Sequence, residues 1–253
     1  MPPVPKMPPD AMVRAMYRTL GRSWGPQHWW PAETAFEVIV GAILTQNTSW
    51  TNVERALSAL RSAGVLNVAG IRELPLAKLE QLVRSSGYYR QKAQRLKSFI
   101  GFLDEKYQGS LEKMFSQPTH PLRTELLSLK GIGPETADAI LLYAGNHAIF
   151  VVDAYTRRVL QRHAAVVGTA KYDDIRSLVE RALQRQKLVS PAVQAAFNAT
   201  PPIHEPSPMS TASRHQLAQL YNEMHGLFVQ VGKHYCYKAE PNCDQCPLRH
   251  LLP

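Results

Sequence analysis

One stretch near the middle of the chain says most about its architecture: Leu129-Lys130-Gly131-Ile132-Gly133-Pro134-Glu135-Thr136-Ala137. A helical pattern ends before it, two glycines one residue apart permit a tight turn, and Pro134 suits the first position of a new helix. Such a turn points backbone N–H groups and a helix N-terminus outward, which is a geometry that binds phosphate. The pattern therefore predicts two helices joined by a hairpin, which serves either as a simple connection or as a phosphate-binding turn.

Helical periodicity continues on both sides of this hairpin. Apolar residues recur at three- and four-residue spacing in segments that begin near residues 36, 53, 79, 93, 122, 137, 159, 175 and 217. The only strand-like run, residues 149–152, is too short to build a sheet. Residues 190–213 contain five prolines and predict a long loop or linker. We therefore predict an all-α fold.

Composition and charge limit the classes of function. The chain has 253 residues, of which 45% are hydrophobic and 19% charged, as in an ordinary globular protein. Its formal net charge of +9 suits a polyanionic partner. Because no apolar run reaches membrane-spanning length and five of the first nine residues are prolines, we expect no membrane partner and an intracellular location, in the cytoplasm or nucleoid.

Asp153 is the candidate for chemistry. It stands twenty residues after Gly133, directly behind the apolar run 150–152 and before a helical pattern, so it is predicted to cap a helix. A carboxylate at a helix start stays ionised and partly exposed. It could therefore also activate water or stabilise an oxocarbenium-like sugar, as cleavage of a glycosidic bond requires.

These features together resemble a known family. The motif Gly-Ala-Ile-Leu-Thr-Gln-Asn at 41–47, the motif Gly-Tyr-Tyr-Arg-Gln-Lys-Ala at 87–93, the hairpin, Asp153 and a cysteine tail occur in one order. They resemble the helix-hairpin-helix (HhH-GPD) DNA glycosylases of the endonuclease III superfamily, which act in base excision repair. The match runs from about Trp29 to Cys246, and several motifs in order make it specific.

The resemblance implies an architecture and a partner. Two helical lobes are expected with a DNA-binding cleft between them: residues 36–145 would form a six-helix lobe that carries the hairpin. Residues 1–35 and 146–253 would form the second lobe, with the cysteine-rich tail. The expected partner is double-stranded DNA with a damaged base, bound by a monomer.

The resemblance also assigns roles to residues. Asp153 would be the catalytic carboxylate, and Gln46 and Asn47 would lie on the loop that fills the gap left by a flipped-out base. The phosphate backbone would be held by Lys130, Gly131, Gly133, Thr136 and Arg157. A basic stripe is interpreted as a further phosphate surface; it comprises Arg84, Arg90, Lys92, Arg95 and Lys97, with Arg158 and Arg162 on the helix after Asp153.

Glu135 distinguishes this chain from the bifunctional members of the family. Those members place a Schiff-base lysine two residues after the second hairpin glycine, where this chain has Glu135. A carboxylate cannot form the imine that β-elimination needs, so AP-lyase activity is expected to be weak or absent. Glu135 would orient water or form a helix-start charge pair, and residual lyase chemistry from another amine, such as Lys130, stays open.

Three tryptophans indicate a base pocket. Glu135 together with Trp29, Trp30 and Trp50 is similar to the 3-methyladenine DNA glycosylase III-like branch, in which aromatic side chains sandwich a flipped alkylated purine. The pair His225-Gly226 also matches that branch, although Leu227 stands where the branch can place a lysine. Ordinary core packing of the tryptophans, a glycosylase for oxidised pyrimidines or mismatches, and a non-catalytic DNA-binding protein remain alternatives.

The three cysteines suggest a metal site rather than a disulfide framework. Cys236-x6-Cys243-x2-Cys246 reproduces three of the four positions by which endonuclease III-like enzymes hold a [4Fe–4S] cluster, and Leu252 stands at the fourth. His250, an external ligand or zinc in a Cys₃His site would be alternatives, as would a decayed site. The resemblance implies a structural role for such a cluster.

Overall fold

The computed structural model describes residues 7–184 and 205–253, and within these ranges the chain is helical without a β-strand. The predicted all-α class is confirmed. The prolines at positions 2, 3 and 5, and residues 190–204 of the predicted linker, lie outside the described residues. No described helix combines the length and the apolar character needed to cross a membrane.

The described chain contains thirteen α-helices. In order they are α1 Pro9–Trp24, α2 Ala35–Leu44, α3 Trp50–Ser62, α4 Val68–Glu73, α5 Leu76–Leu82, α6 Tyr89–Tyr107, α7 Leu111–Phe115, α8 Thr119–Ser128, α9 Pro134–Ala139, α10 Ala154–Arg162, α11 Tyr172–Gln184, α12 Pro208–Thr211 and α13 Gln216–His234. A π-helical turn, Ile140–Ala144, continues α9, and 3-10 turns lie at Arg84–Ser86 and Arg249–Leu251.

The helices form two compact units. The central unit comprises Ala32–His147, and the terminal unit combines Met1–Pro31 with Ala148–Pro253. The central unit is therefore inserted, in sequence, between two parts of the terminal unit.

Helix α2 is the core of the central unit. Nine of its ten residues are buried, because all but Glu37 are apolar or glycine and the helix packs on α3, α6 and α9. The Thr34 hydroxyl caps it by accepting a hydrogen bond from the Glu37 N–H.

The terminal unit is built on α1, which the sequence analysis did not predict. Met12, Val13, Met16, Tyr17 and Leu20 form its buried stripe, which packs on α11 and α13. The apolar residues of α1 have helical spacing in the sequence. The prolines before them led the prediction away from a helix, although they do not prevent one. Pro9 occupies the first helical turn, where its missing N–H costs nothing.

The prediction of a loop over residues 190–213 is wrong for residues 208–211. Residues 208–211 form the short helix α12, which begins at a capping box in which Ser207 and Ser210 bond each other's backbone N–H groups. Pro208 at the first position starts this helix, so here proline favours a helix rather than a loop.

Candidate functional site

The predicted hairpin is present in the central unit. Helix α8 ends at Ser128, residues 129–133 turn, and Pro134 opens α9. Gly131 has φ +88°, a conformation that favours glycine. A Cβ at Gly131 would lie 2.2 Å from Nε of Arg95, so the Arg95 side chain would have to move to admit another residue.

An ion pair fixes the two helices of the hairpin. Arg123 on α8 donates through Nε to Oδ1 of Asp138 at 2.6 Å and through an amino group to Oδ2 at 3.1 Å. The Asp138 side chain is fully buried and that of Arg123 is 12% exposed. A two-point pair of this kind sets the angle at which α9 leaves the turn.

The side chain of Gln46 faces the hairpin. Its amide nitrogen donates to the Gly131 carbonyl at 2.9 Å and to the Thr136 hydroxyl at 2.8 Å, and its oxygen accepts from Arg95. We call Gln46, Arg95, Gly131 and Thr136 the hairpin network. It joins the loop after α2, helix α6 and both sides of the turn, so it couples the predicted base-gap loop to the predicted phosphate-binding turn.

Lys92 corrects the interpretation of the basic stripe. Its side chain is buried rather than on a phosphate-facing surface, and its ammonium donates to the carbonyls of Leu44 at 2.8 Å and Ser86 at 2.6 Å. Burial lowers the pKa of Lys92 to about 8, with Arg95 acting in the same direction. Lys92 thus ties the end of α2 to the turn before α6 and leaves phosphate contact to other basic residues.

The turn that Lys92 holds carries an exposed aromatic residue. Tyr88 is 66% exposed and has φ +45°, and it is preceded by Gly87 at φ +68°. Arg84 and Arg90 flank it as exposed cations. A large ring on the surface between cations can stack on bases while the cations contact phosphates, and the motif at 87–93 had pointed to this turn without singling out Tyr88.

The remaining predicted residues of the central unit lie at helix starts and on the surface. Glu135 and Lys130 are exposed at the hairpin, and Asn47 is exposed with φ +55°. Trp50 is the first residue of α3, is partly buried, and donates from its indole N–H to Glu54 at 2.7 Å.

In the terminal unit, Asp153 caps α10 as predicted. Its Oδ1 accepts a hydrogen bond from the Thr156 N–H at 2.7 Å. Its Oδ2 lies 3.6 Å from Nε2 of His225, and the Asp153 side chain is 14% exposed. Oδ1 of Asp153 is therefore occupied by the helix cap, whereas Oδ2 lies near His225 on a side chain that is partly open to solvent.

Aromatic rings pack around His225, the residue that lies beside this second oxygen. The His225 ring lies 6.2 Å, centroid to centroid, from both Trp29 and Phe150. Trp29 meets Trp30 edge to face at 5.7 Å; Trp30 is buried, whereas Trp29 is partly exposed. We call Trp29, Asp153 and His225 the carboxylate site. His225 lies between Trp29 and Asp153, which were both predicted site residues, whereas the sequence assigned no role to His225.

Lys233 supplies an ammonium beside Trp29. Leu227, the position at which a pocket lysine was considered, is fully buried. Two turns further along α13, Nζ of Lys233 lies 5.7 Å from the centroid of the Trp29 ring. A cation–π contact of this kind depends on the register of α13 against residues 27–30, which no local motif encodes.

A buried acid supports the same region. Glu223 accepts from the Gln27 N–H at 2.7 Å and from the Gln219 amide at 2.8 Å. Burial raises the pKa of Glu223 to about 7, although these two hydrogen bonds and the charge of Arg214 lower it. The bond to Gln27 fixes the segment that leads into Trp29.

The arginines of α10 bond mainly to the protein backbone. Arg157 donates to the Ala170 carbonyl at 2.6 Å, and Arg158 donates to the carbonyls of Cys236 and Gly232. Arg162 donates to Sγ of Cys236 at 3.1 Å and to the Lys238 carbonyl. These contacts fasten the cysteine tail to α10, and phosphate contact by Arg157 stays a prediction.

The cysteine tail gathers three thiols around one cavity. Cys236, Cys243 and Cys246 line it together with Arg162 and Leu252. Burial raises the pKa of the Cys246 thiol. The three cysteines of the predicted cluster site therefore line the same cavity in the terminal unit.

No fourth protein ligand completes this site among residues 7–184 and 205–253. His163 lines the cavity, but its ring nitrogens face the Val159 and Leu248 carbonyls. His250 is exposed, with Nδ1 at the Pro247 carbonyl. Within the described chain no three His, Cys, Asp or Glu side chains converge on one metal ion. Three thiolates do not complete a four-ligand cluster, so the [4Fe–4S] cluster stays a prediction and no step below depends on it.

Comparisons with known proteins agree with this geometry. A family model described as HhH-GPD superfamily base excision DNA repair protein matches residues 40–185. A Methanocaldococcus jannaschii protein named "Putative DNA repair glycosylase" is 40% identical over 242 residues, which are 95% of either chain. Endonuclease III of Thermotoga maritima is 24% identical over 218 residues, covering 85% of this chain and 81% of that protein.

Solved structures show the same fold. The crystal structure of Helicobacter pylori 3-methyladenine DNA glycosylase bound to 1,N6-ethenoadenine has a TM-score of 0.70 and 31% identity, over 90% of this chain and 98% of that one. A trapped endonuclease III–DNA covalent intermediate has a TM-score of 0.69 at 19% identity, over 96% and 95% of the two chains.

Proposed function

Because the chain belongs to the HhH-GPD superfamily of base excision DNA repair proteins, we propose that it is a monofunctional DNA glycosylase that excises alkylated purines. In this function the enzyme hydrolyses the N-glycosidic bond of the damaged nucleotide in duplex DNA. An abasic site with an intact backbone is the product.

The carboxylate site carries the proposal. Asp153 presents one oxygen, Oδ2, that the helix cap does not use. In the proposed reaction Oδ2 orients a water molecule and accepts its proton as oxygen adds to C1′. The base leaves with the electrons of the C1′–N bond, and a base that was uncharged takes up a proton from solvent water. The ionised carboxylate also stabilises the positive charge that develops on the sugar.

The rings beside Asp153 support a flat, flipped-out base as substrate. Trp29 is partly exposed, and it is held by Trp30 on one side and by His225 on another. Stacking on such a surface is worth about 1–3 kcal/mol per base. The similar Helicobacter pylori enzyme is a 3-methyladenine glycosylase and binds 1,N6-ethenoadenine, which is an uncharged alkylated purine.

Lys233 favours an uncharged base over a cationic one. Its ammonium lies over the Trp29 ring at 5.7 Å, so a positively charged methylpurine stacked there would meet a like charge. Among alkylated purines we therefore place 1,N6-ethenoadenine ahead of 3-methyladenine. The same contact favours a second candidate substrate, an uncharged oxidised or mismatched pyrimidine.

Glu135 supports hydrolysis without strand cleavage. It is exposed in the first turn of α9, where bifunctional relatives of the resembled family carry a lysine. A carboxylate offers no amine for an imine, so the proposed product retains its 3′ and 5′ phosphates.

The central unit supports DNA binding. The hairpin network orders the turn at Gly131, and Lys130 adds an exposed charge there. Tyr88, Arg84 and Arg90 form a second exposed group suited to stacking and phosphate contact.

The test is excision from a panel of duplexes that each contain one lesion: 1,N6-ethenoadenine, an oxidised pyrimidine, or a G·T or G·U mismatch. DNA treated with a methylating agent adds 3-methyladenine. We expect release of 1,N6-ethenoadenine, with strand breaks only after alkali. Release of pyrimidines alone would replace the substrate assignment, breaks before alkali would contradict the monofunctional assignment, and no release from any substrate would leave a DNA-binding protein.

Two tryptophan variants locate the pocket. We expect Trp29→Ala and Trp50→Ala to reduce excision more than DNA affinity, each by about 5- to 150-fold if a stacked base is lost. Melting temperatures serve as the control for folding. A uniform loss of DNA binding and stability would instead make the altered tryptophan a core residue.

A further inference from the structure

We propose that His225 is a positioning residue that links the stacking surface of Trp29 to the carboxylate of Asp153, so that a base seated on Trp29 sets the orientation of the group that attacks its own glycosidic bond. This inference rests on the proposed glycosylase function and adds a residue and a coupling to it.

The geometry of His225 places one ring against both partners. Its Nε2 is 3.6 Å from Oδ2 of Asp153, and its ring centroid is 6.2 Å from that of Trp29. The side chain is 5% exposed. A displacement of Trp29 on base stacking therefore reaches Asp153 through His225 rather than through solvent.

The backbone next to His225 packs closely on the segment that carries Trp29. A Cβ at Gly226 would lie 2.8 Å from Cβ of Gln27 and 3.2 Å from Cβ of Trp29. Helix α13 thus lies directly on the segment that carries Trp29, and a glycine at 226 is what permits this approach. On another side, Phe150 is fully buried between His225 and Tyr221.

The protonation state of His225 suits a positioning role. Burial lowers its pKa, and the opposite effect of the Asp153 charge is the smaller one. A neutral imidazole with its proton on Nε2 donates that proton toward Oδ2 without adding a full positive charge. Asp153 then keeps its rotamer and stays a carboxylate that can accept a proton from water.

In the present structure Nε2 of His225 and Oδ2 of Asp153 are close but not hydrogen-bonded. A distance of 3.6 Å is longer than a hydrogen bond. Catalytic hydrogen bonds are commonly long in free enzymes and shorten when substrate is bound. We infer that stacking of the base on Trp29 moves the His225 ring by the few tenths of an ångström that close the bond.

The experiment compares two substitutions of different chemistry. His225→Phe keeps a flat ring and removes the donor, and His225→Gln keeps an N–H donor of similar reach. Single-turnover excision, affinity for lesion DNA and melting temperature are measured for both. We expect His225→Phe to slow excision about 10- to 100-fold with DNA affinity within twofold of wild type, and His225→Gln to recover most of the rate.

The outcomes that overturn the proposal are distinct. An excision rate of wild-type size in His225→Phe would exclude a positioning role. An equal loss of rate in His225→Phe and His225→Gln would show that His225 serves only in packing. The coupling is tested by combining His225→Phe with Trp29→Leu, for which we expect a rate loss smaller than the product of the two single losses. Independent, multiplicative losses would overturn the link between Trp29 and Asp153.

A measurement without catalysis separates this proposal from the proposed function. The ¹⁵N chemical shifts of the His225 ring in the DNA-free protein report which nitrogen carries the proton. We expect protonated Nε2 in wild type and a changed Nε2 shift in Asp153→Asn. A proton on Nδ1, or an Nε2 shift that does not change in Asp153→Asn, would overturn the proposal even in a protein that folds but excises none of the tested bases.

Discussion

The hairpin network and the carboxylate site are built in opposite ways. The hairpin network consists of polar groups that bond one another at the surface of the central unit, within residues 46–136. The carboxylate site is a set of buried or half-buried rings around one charge, and its neighbour contact from Gln27 to Glu223 bridges 196 residues of sequence. The hairpin network is therefore held mainly by side-chain hydrogen bonds, whereas the carboxylate site is held mainly by the packing of rings.

The largest expected effect tests whether the two regions can be separated. Asp153→Asn removes the charge but keeps a good helix cap, so the fold and DNA affinity should be retained. We expect single-turnover excision to fall by at least about 1,000-fold, because the general base and the charge stabilisation are lost together. The control is Asp244→Asn, the same change at an exposed acid of the same unit. Near-wild-type excision by Asp153→Asn would remove Asp153 from the mechanism.

The second effect tests the hairpin by stability. Gly131→Ala forces an alanine to φ +88° and onto Arg95, so we expect the free energy of unfolding to fall by about 1–3 kcal/mol and DNA affinity to fall with it. Gly133→Ala is the matched control, because a Cβ there meets no atom within 4 Å. Denaturant unfolding of both variants gives the comparison, and equal stabilities would show that the turn is more adaptable than its geometry suggests.

The third effect is a pH dependence confined to the terminal unit. Glu223 has a pKa of about 7 in the fold against an ordinary 4.5, so the folded chain binds more protons between these values. Its stabilising contribution is complete below pH 4.5 and is lost as pH rises through 7. The loss is about 1.4 kcal/mol per pH unit where the difference amounts to one proton.

Glu223→Gln should flatten this dependence. The free energy of unfolding of both proteins is measured between pH 5 and 8. We expect the stability of Glu223→Gln relative to wild type to increase as pH rises. Parallel curves for the two proteins would place the pKa of Glu223 near its ordinary value.

The smallest effect concerns Gln46. Gln46→Ala removes its bonds to Gly131, Thr136 and Arg95 without leaving a buried charge, so we expect about a fivefold loss of DNA affinity and a stability change near 1 kcal/mol. Titration with undamaged and lesion duplexes measures it. A loss confined to lesion duplexes would show that Gln46 leaves the hairpin to fill the base gap instead.

The hairpin was predictable because its signals are local. Two glycines, a proline and the flanking apolar periods specify the turn and both helices within a few residues. The cap at Asp153 was predictable for the same reason. The role of Lys92 was predicted wrongly because the sequence shows a run of charge but not which of its members the fold buries.

The carboxylate site was only half predictable. Asp153 and Trp29 stood out by motif, whereas His225 and Lys233 become neighbours only through the register of α13 against residues 27–30. Helix α1, which leads into this segment, escaped prediction altogether. Long-range packing decides such contacts, and it leaves no short pattern in the chain.

The division of the terminal unit has a consequence for biosynthesis. Helix α1 is synthesised well before its packing partners, because α11 begins only at Tyr172 and α13 at Gln216. All residues of the central unit have emerged once His147 has been synthesised, whereas the apolar stripe of α1 stays without its partner α13 until His234 has been added. A chain truncated before α13 would thus expose that stripe to chaperones and proteases. The order of synthesis would then allow the central unit to fold before Asp153 and His225 come together in the terminal unit.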